Sequence, residues 1–501
     1  MRRLFFSSAF CIFASLLTGI LTTNAQSLKP NIIYILADDM GYGDASCFNE
    51  QSKIKTKHID QLAANGMKFT DAHSSSAVCT PTRYGILTGR YNWRSTLQSG
   101  VLWSYDTALI AQSRLTVAGM LKKNGYHTAC IGKWHLGLGW GKDASGKIDF
   151  KLPIANGPVT LGFDYFYGIT ASLDIPPYFY IQNDRITATG IDTIAATTGK
   201  GFWREGPIGN DFKHIEVLPR LTQKAVNYIT EQSKQTDPFF LYFPLPAPHT
   251  PILPTKEFQG KTGTTAYGDF VLMVDDVVGQ VMEAVKKNGI ANNTIIIFTS
   301  DNGCSPMADF KELQSFGHNP SYVFRGTKAD IYEGGHHIPF IINWPGNIKA
   351  GSSCDSTICL TDFMATCASI LNYRLPEDAG EDSYSLLPLL LPGSKKHYER
   401  TFTIHHSVYG EFSIRQGKWK LAICPGSGGW SHPTPVEARE QALPSVQLFD
   451  MEKDIAEQHN EAAQHPELVK KLIALTQQCI NNGRSTEGAK QKNDAAVLLF
   501  K

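Results

Sequence analysis

The stretch NIIYILA at residues 31–37, followed directly by Asp38 and Asp39, determines which fold class this sequence predicts. After Asn31 every residue is apolar up to the two aspartates, and no polar residue alternates with them. A strand buried on both faces, as in a parallel sheet, has this pattern, whereas a half-exposed strand alternates. The stretch therefore predicts a central strand with two acidic side chains at its carboxyl end.

Similar strands alternate with helices along the chain. Apolar runs at residues 128–133, 239–243 and 294–299 predict strands, and segments such as 58–66 and 271–288 predict helices. This alternation is typical of an α/β sheet with helices on both faces. Polar groups follow the predicted strand ends: Lys133, His135, His249, Asp301 and Asn302. Open α/β sheets bind ligands at the carboxyl ends of their strands, so we expect these groups to share one site.

The pattern changes after about residue 393. Segments near residues 401–405, 411–423 and 446–449 alternate as antiparallel strands do, and residues 467–482 predict a helix. We therefore predict a main domain at residues 28–396 and a smaller C-terminal domain at residues 397–501, with an antiparallel sheet and a helix. The polar tail after Gly483 is expected to be poorly ordered until Ala495.

The N-terminus and the composition indicate location and partners. Residues 1–25 combine two arginines, a short apolar segment and small residues, which predicts a secretory signal peptide rather than a membrane anchor. We expect a secreted protein, periplasmic in a bacterium. A formal net charge of +1 gives no indication of nucleic-acid binding. Ten cysteines without Cys-x-x-Cys spacing argue against a zinc ribbon and permit a disulfide between Cys354 and Cys359 or Cys367.

The acidic pairs at the strand ends suggest a cation site. Asp38 and Asp39, together with Asp301 and Asn302, offer only oxygen ligands, which hard divalent cations prefer. Each pair taken alone fits a helix cap or a turn better. A nearby motif reverses this preference.

That motif is SSSAVCTPTRYGILTGR at residues 74–90. A free cysteine is usually a buried small hydrophobe, but Cys79 lies among Ser, Thr and Pro. A papain-like thiol nucleophile is another interpretation, although the local pattern of that family is missing. Cys79, Pro81 and Arg83 followed by Leu-Thr-Gly-Arg resemble the signature of the type I sulfatases. GKWHLG at residues 132–137 resembles a second signature of that family, and the segment at 325–335 (RGTK to EGG) resembles a third.

The resemblance implies an alkaline-phosphatase-like, mostly parallel mixed sheet and the hydrolysis of sulfate esters. In the family a maturation enzyme, either formylglycine-generating or anaerobic, oxidises the cysteine to formylglycine, whose hydrate is the nucleophile. By resemblance, calcium lies beside this group, with magnesium as an alternative, and its ligands are Asp38, Asp39, Cys79 as formylglycine, Asp301 and Asn302.

The resemblance also implies catalytic roles for several cations and histidines. A sulfate ester is an anion, so catalysis needs positive charge at its oxygens. Arg83, one helical turn from Cys79, would hold the hydrated nucleophile, and Lys133 and Lys328 would bind sulfate oxygens. His135 would remove a proton from the second hydroxyl so that sulfate leaves, and His249 would protonate the leaving oxygen.

Residues 164–215 predict a long insertion rich in aromatic residues at the functional edge. Asp174, Trp203 and Arg204 within it, and His318 outside it, are candidate substrate residues. Packing within the insertion explains its aromatic side chains equally well. The layout resembles arylsulfatase A and N-acetylgalactosamine-6-sulfatase, so we expect exo-acting removal of sulfate from galactose or N-acetylgalactosamine in a sulfated glycan.

Three alternatives remain open at this point. One is a generic arylsulfatase. Another is a phosphatase or phosphodiesterase of the same superfamily, which would use Ser or Thr and two zinc ions. The third is an inactive protein that binds sulfated glycans.

Overall fold

A computed structural model describes residues 29–391, 393–394 and 397–500, so the predicted signal peptide lies outside the described residues. Ten strands form the main sheet. In order across the sheet they are β13 (Ser352–Cys354), β2 (Met67–Phe69), β12 (Phe340–Asn343), β11 (Thr294–Ser300), β1 (Asn31–Asp38), β10 (Phe239–Pro248), β4 (His127–Lys133), β5 (Tyr165–Ile169), β6 (Ile181–Gln182) and β7 (Arg185–Ile186).

Strand β1 is central, as predicted, and pairs in parallel with both β10 and β11. Strands β10, β4 and β5 continue in parallel, whereas β12 and β6 pair antiparallel with their neighbours. The sheet is therefore mixed and mostly parallel at its centre, which confirms the predicted fold class.

The apolar run of β1 is explained by a separate core on each face of the sheet. Ile33, Ile35 and Ala37 enter one core, and the alternate residues Ile32, Tyr34 and Leu36 enter the other. Successive side chains of a strand point to opposite faces, so a strand covered on both sides needs apolar residues throughout. Full burial of each large side chain contributes roughly 1.5–3 kcal/mol.

Helices cover both faces. The eleven α-helices are α1 (Lys57–Asn65), α2 (Cys79–Thr88), α3 (Val117–Lys123), α4 (Val217–Gln232), α5 (Ala266–Lys287), α6 (Phe310–Ser315), α7 (Glu333–His336), α8 (Phe363–Ile370), α9 (Leu387–Leu390), α10 (Pro435–Glu440) and α11 (Pro466–Asn482), all within the described residues. Helices α1, α4 and α5 share the core of Ile33, and α2, α3 and α8 share that of Tyr34. Helix α5 begins five residues before its predicted start because the Thr265 side chain caps it by accepting a hydrogen bond from Gly268 N.

The predicted insertion contributes to the main sheet. Its first part forms β5 to β7, and its later part forms a two-stranded ribbon of β8 (Ile191–Ile194) and β9 (Gly206–Gly209). A further small sheet pairs β3 (Ala72–His73) with β14 (Ile358–Cys359).

The C-terminal part forms the predicted antiparallel sheet, with helix α11 packed against it. Its strands are β15 (Thr403–His406), β16 (Phe412–Gln416), β17 (Trp419–Ala422) and β18 (Gln447–Asp450). The prediction of a poorly ordered tail is wrong. Arg90 pairs with Asp494 at 2.9 Å, and Asp494 N donates to Arg94 O at 2.6 Å, so buried arginines hold the polar tail in place.

The structure also bears on the suggested disulfides and on membrane-spanning helices. All nine cysteines within the described residues are free, so neither disulfide suggested for Cys354 forms in this structure. Cys359 and Cys367 are instead buried in the cores. In the described part of the chain, no helix has both the length and the apolar character of a membrane span.

Candidate active site

Four neighbouring strands deliver polar groups to one edge of the sheet. Asp38 ends β1, Asp301 and Asn302 directly follow β11, Lys133 ends β4, and His249 follows β10. These strands are adjacent in the order β11, β1, β10, β4, and all run in parallel. The sheet therefore places at one edge groups that are far apart in sequence, as expected for an open α/β sheet.

Three lysine and arginine side chains form ion pairs at this edge. Lys133 Nζ lies 2.6 Å from Asp38 Oδ2, and Lys328 Nζ lies 2.7 Å from the Asp39 carboxylate. Arg83 donates to Asp301 Oδ2 from Nη2 at 2.7 Å and from Nε at 3.1 Å. All six side chains are buried, and three carboxylates balance three cations. Arg83 also donates to Lys133 O at 2.9 Å, which links two of the pairs.

Cys79 is the first residue of α2 and only 2% exposed. Arg83 follows one turn later in the same helix and also faces the site. Burial raises the pKa of the Cys79 thiol to about 12 even though Lys133 and Lys328 lower it. An unmodified thiol here is protonated near neutral pH and is a weak nucleophile, because the thiolate is the reactive form.

The site has the oxygen atoms that a hard cation requires. Asp38 Oδ1 and Asn302 Oδ1 are buried and accept no hydrogen bond, and the nearest cation to Asp38 Oδ1 is Arg83 Nη2 at 3.4 Å. One ligand atom each from Asp38, Asp39, Cys79 and His249 lies within 4.8 Å of the others. Buried acceptors without donors are costly, so these oxygens fit a cation as their missing partner.

The pKa values of the carboxylates point the same way. Burial alone would raise the pKa of Asp38, but the charges of Lys133, His249 and Arg83 outweigh it and hold that pKa well below its usual value. Burial and the negative charge of Asp38 raise the pKa of Asp301 to about 6, against the effect of Arg83. The repulsion between these two carboxylates is what a bound cation would relieve.

The two histidines have different environments. Burial, with the charges of Lys133 and Arg83, lowers the pKa of His135 well below its usual value, so its imidazole is neutral. His135 Nε2 donates to Leu102 O at 2.8 Å, and His135 Nδ1 is buried without a partner. His249 remains 9% exposed, and its Nε2 lies 3.6 Å from Asp39 Oδ2.

Of the four predicted substrate residues, Asp174 lies beside His249 and Arg204 pairs with Asp174. Asp174 Oδ1 is 4.0 Å from His249 Nδ1, and Asp174 Oδ2 is 2.5 Å from Arg204 Nη1. Trp203 instead stacks on His214, with ring centroids 4.2 Å apart. For Trp203 the packing alternative describes its surroundings better.

The structure does not bring His318 to the site edge. Its side chain is fully buried, and Nε2 lies 2.8 Å from Asp44 Oδ1. Asp44 in turn accepts from Tyr267 Oη, which also bonds Asp39 O at 3.3 Å. His318 therefore supports the backbone of Asp39 from behind, and the prediction of substrate contact is wrong. Sequence proximity to Arg325 gives no information on the direction of its side chain.

Sequence reasoning missed one element of the site. Leu102 N donates to Thr80 Oγ1 at 3.2 Å, next to Cys79, and Leu102 O accepts from His135. The surrounding loop has no periodic pattern or motif, so only its exposed aromatic residues could have drawn attention to it.

The chain is similar over most of its length to known proteins. A family model described as Sulfatase matches residues 30–373. An N-acetylgalactosamine-6-O-sulfatase of Bacteroides thetaiotaomicron is 35% identical over 509 residues, covering 92% of this chain and 96% of that protein. Human arylsulfatase A is 31% identical, covering 97% and 92%. A solved structure from work on the metabolism of multiple glycosaminoglycans by Bacteroides thetaiotaomicron has a TM-score of 0.81 at 32% identity. The match covers 90% of this chain and 99% of that chain.

Proposed function

This chain belongs to the sulfatase family and is a sulfuric ester hydrolase, and from that premise we propose that it removes O-sulfate from galactose or N-acetylgalactosamine at the end of a sulfated glycan. The main support for sulfate ester hydrolysis is that Cys79 lies at one sheet edge together with three buried cations and two oxygens that accept no hydrogen bond. The glycan part is supported by the N-acetylgalactosamine-6-O-sulfatase relative and by the polar pair beside His249.

The cofactors form part of this proposal. Asp38, Asp39, Asp301 and Asn302 would hold calcium, with magnesium as the alternative, and Cys79, converted to formylglycine by a maturation enzyme, would complete the ligand set. When present, the cation supplies positive charge and the modified residue supplies the nucleophilic oxygen.

Charge balance explains why a cation suits this chemistry. The three carboxylates and three cations of the site cancel, so the protein groups alone offer no net attraction for an anion. A dication would raise the sum to +2 beside a sulfate ester. Arg83, Lys133 and Lys328 would then orient the sulfate oxygens and stabilise the negative charge of the transition state.

Two histidines would move the protons. His249 would protonate the leaving oxygen, because it is more exposed than the three cations and its Nδ1 donates to Thr250 O at 2.6 Å, which leaves Nε2 for the site. His135 Nε2 carries its proton toward Leu102 O, so Nδ1 holds a lone pair that can accept a proton inside the site. The acid and the base are thus different residues.

The test is sulfate release by protein co-produced with a maturation enzyme. We expect hydrolysis of N-acetylgalactosamine 6-sulfate or galactose 6-sulfate, loss of activity with a chelator and recovery with Ca²⁺. If the enzyme acts only at the end of a glycan, a glycan that carries sulfate only on internal sugars should release it slowly. Cys367→Ala is a matched control, because that cysteine is buried in the core on α8, and it should stay active.

Other outcomes would contradict the proposal. Preference for a phosphate monoester would indicate the phosphatase alternative. Saccharide binding without sulfate release after verified conversion of Cys79 would indicate a binding protein. Preference for aryl sulfates over all saccharides would retain the sulfatase chemistry and reject the glycan. A secreted, periplasmic location is also proposed, and fractionation of the native host would test it.

A further inference from the structure

The loop that contacts His135 also carries an exposed aromatic side chain. Leu102 is fixed on both sides, by Thr80 and by His135. The next residue, Trp103, is 48% exposed. A tryptophan is usually well buried, so one held half open next to a reactive centre needs an explanation.

The exposure of Trp103 does not result from a loose loop. The neighbouring Ser104 is buried, its carbonyl accepts from Trp140 Nε1 at 2.8 Å, and its hydroxyl accepts from Thr170 Oγ1 at 3.0 Å. Trp103 N itself donates to Asp106 Oδ2 at 2.6 Å. The backbone is therefore anchored on both sides of a ring that faces outward.

A chain of contacts leads from this ring to the other catalytic histidine. The Arg204 guanidinium lies 4.9 Å from the Trp103 ring centroid, and Arg204 pairs with Asp174. Asp174 Oδ1 is buried, has no hydrogen-bond partner and lies 4.0 Å from His249 Nδ1. The residues Trp103, Arg204 and Asp174 thus form an arc between His135 and His249, and we name it the rim arc.

We propose that Trp103 is a specificity residue, the stacking platform for the apolar C–H face of the sugar ring that bears the sulfate. Asp174 Oδ1 accepts a hydrogen bond from a hydroxyl of the same sugar. Ring stacking and one unpaired acceptor are a usual combination in a carbohydrate site, which needs an apolar face and a few fixed polar groups. Arg204 holds both in place. This inference rests on the proposed function.

The test compares Trp103→Ala and Trp103→Phe on a sulfated galactose-type saccharide and on an acyclic alkyl sulfate. We expect Trp103→Ala to lower kcat/KM for the saccharide about tenfold, mainly through KM, and Trp103→Phe to lower it less than about threefold. The acyclic sulfate has no ring to stack, so the decrease in kcat/KM for this substrate should be several times smaller. Trp419→Ala is the matched control, because that ring packs beside His465 on the C-terminal sheet.

Binding separates this inference from the function on which it rests. In a Cys79→Ala background, the saccharide should bind about tenfold more weakly when Trp103 is also replaced by Ala. If wild-type protein releases sulfate and neither KM nor binding responds to Trp103, the platform is wrong and the function stands. An equal loss for both substrates would also overturn it, because the effect would then pass through Leu102 to His135. If mature wild type releases no sulfate, the proposed function fails, while the binding result still decides the platform.

Discussion

The molecule buries two clusters of charged side chains, and they differ in one decisive respect. Both contain buried atoms without a hydrogen-bond partner, Asp38 Oδ1 and Asn302 Oδ1 in the site cluster and His405 Nε2 in the other. The site cluster, at the ends of β1, β11 and β4, reaches solvent at His249. The second, which we name the joint cluster, lies where the C-terminal sheet meets β3 and α7, and each member is at most 1% exposed. Its members are His73, Glu333, His336, His405, Lys420 and Glu457.

The joint cluster resembles a metal site by composition and by distance, because one ligand atom each from His73, His336 and His405 lies within 4.8 Å of the others. Its charge pairing and ring orientation do not suit an ion. Lys420 Nζ lies 2.9 Å from Glu333 and 2.7 Å from Glu457, so its charge is already matched. The rings of His336 and His405 lie 3.9 Å apart and nearly parallel, at 6°. Ligand lone pairs lie in the ring planes, and parallel rings cannot aim them at one ion. Burial of titratable groups is therefore no sign of function by itself, whereas unsatisfied atoms that face an opening are.

Replacing the nucleophile should give the largest effect and sharpen this contrast. Cys79→Ala removes the only side chain that can become formylglycine at this position, so we expect sulfate release to fall by at least about 10⁴-fold. The free energy of unfolding should change by only about 1 kcal/mol, because a small buried side chain replaces another. Activity assays with chemical denaturation measure both quantities. A residual rate near that of wild type would contradict the role of Cys79.

Replacing one lysine in each cluster should affect stability in one case and activity in the other. Lys420→Met leaves Glu333 and Glu457 buried without their cation, so we expect a loss of roughly 3–5 kcal/mol of stability. The remaining folded enzyme should keep its kcat/KM within about twofold. Lys328→Met, measured with Ca²⁺ present, should lower kcat/KM by about 10²–10³-fold and cost less stability.

Similar profiles for these two variants would break the distinction between the clusters. Thermal and denaturant unfolding on one preparation, with activity normalised to the folded fraction, is the appropriate measurement. Lys418→Met provides a control, because Lys418 pairs with Asp450 near the surface of the same sheet.

The joint cluster should contribute to the pH dependence of stability. Burial lowers the pKa of His336 and His405 well below 6.5, and it also lowers that of His73. Below about pH 6.5 the unfolded chain therefore binds up to three protons that the folded protein does not bind. The free energy of unfolding consequently decreases as the pH is lowered. Glu457 opposes this, because burial raises its pKa to about 7 and the folded protein binds that proton first. The joint cluster alone therefore contributes about two protons, or at most ~2.7 kcal/mol per pH unit.

The measurement is denaturant unfolding between pH 7 and pH 5. His405→Gln should reduce the slope by up to ~1.4 kcal/mol per pH unit, since one titrating group is lost. Lys418→Met again provides the control, because the hydrogen bond to Asp450 raises the pKa of Lys418 and that group does not titrate between pH 7 and pH 5. An unchanged slope in His405→Gln would show that the joint cluster does not titrate as its burial indicates.

Much of the fold and part of the site could be predicted from the sequence. The unbroken apolar run of β1 requires cover on both faces, and both cores are present. The family was identified from short motifs, because a modifying enzyme and a reactive group require fixed local spacing. The tail after Gly483 could not be predicted, since its order depends on Arg90 and Arg94, about 400 residues away.

His318 and Trp103 show which site residues could not be predicted from the sequence. A histidine near a motif carries no record of which way it points, and His318 turns to Asp44. Trp103 lies in a loop without periodicity, so its place beside His135 follows only from the contacts of Leu102.

The sequence by itself determined the sheet class, the helix that begins at Cys79 and the family, because strand period, helix spacing and motif identity are local properties of the chain. The tertiary structure decided which atoms meet. Asn302 Nδ2 bonds Asp39 Oδ1 across 263 positions, and the unpaired oxygens beside them exist only because two strands lie side by side. A contact of that kind depends on the packing of the whole sheet, and no local pattern encodes it.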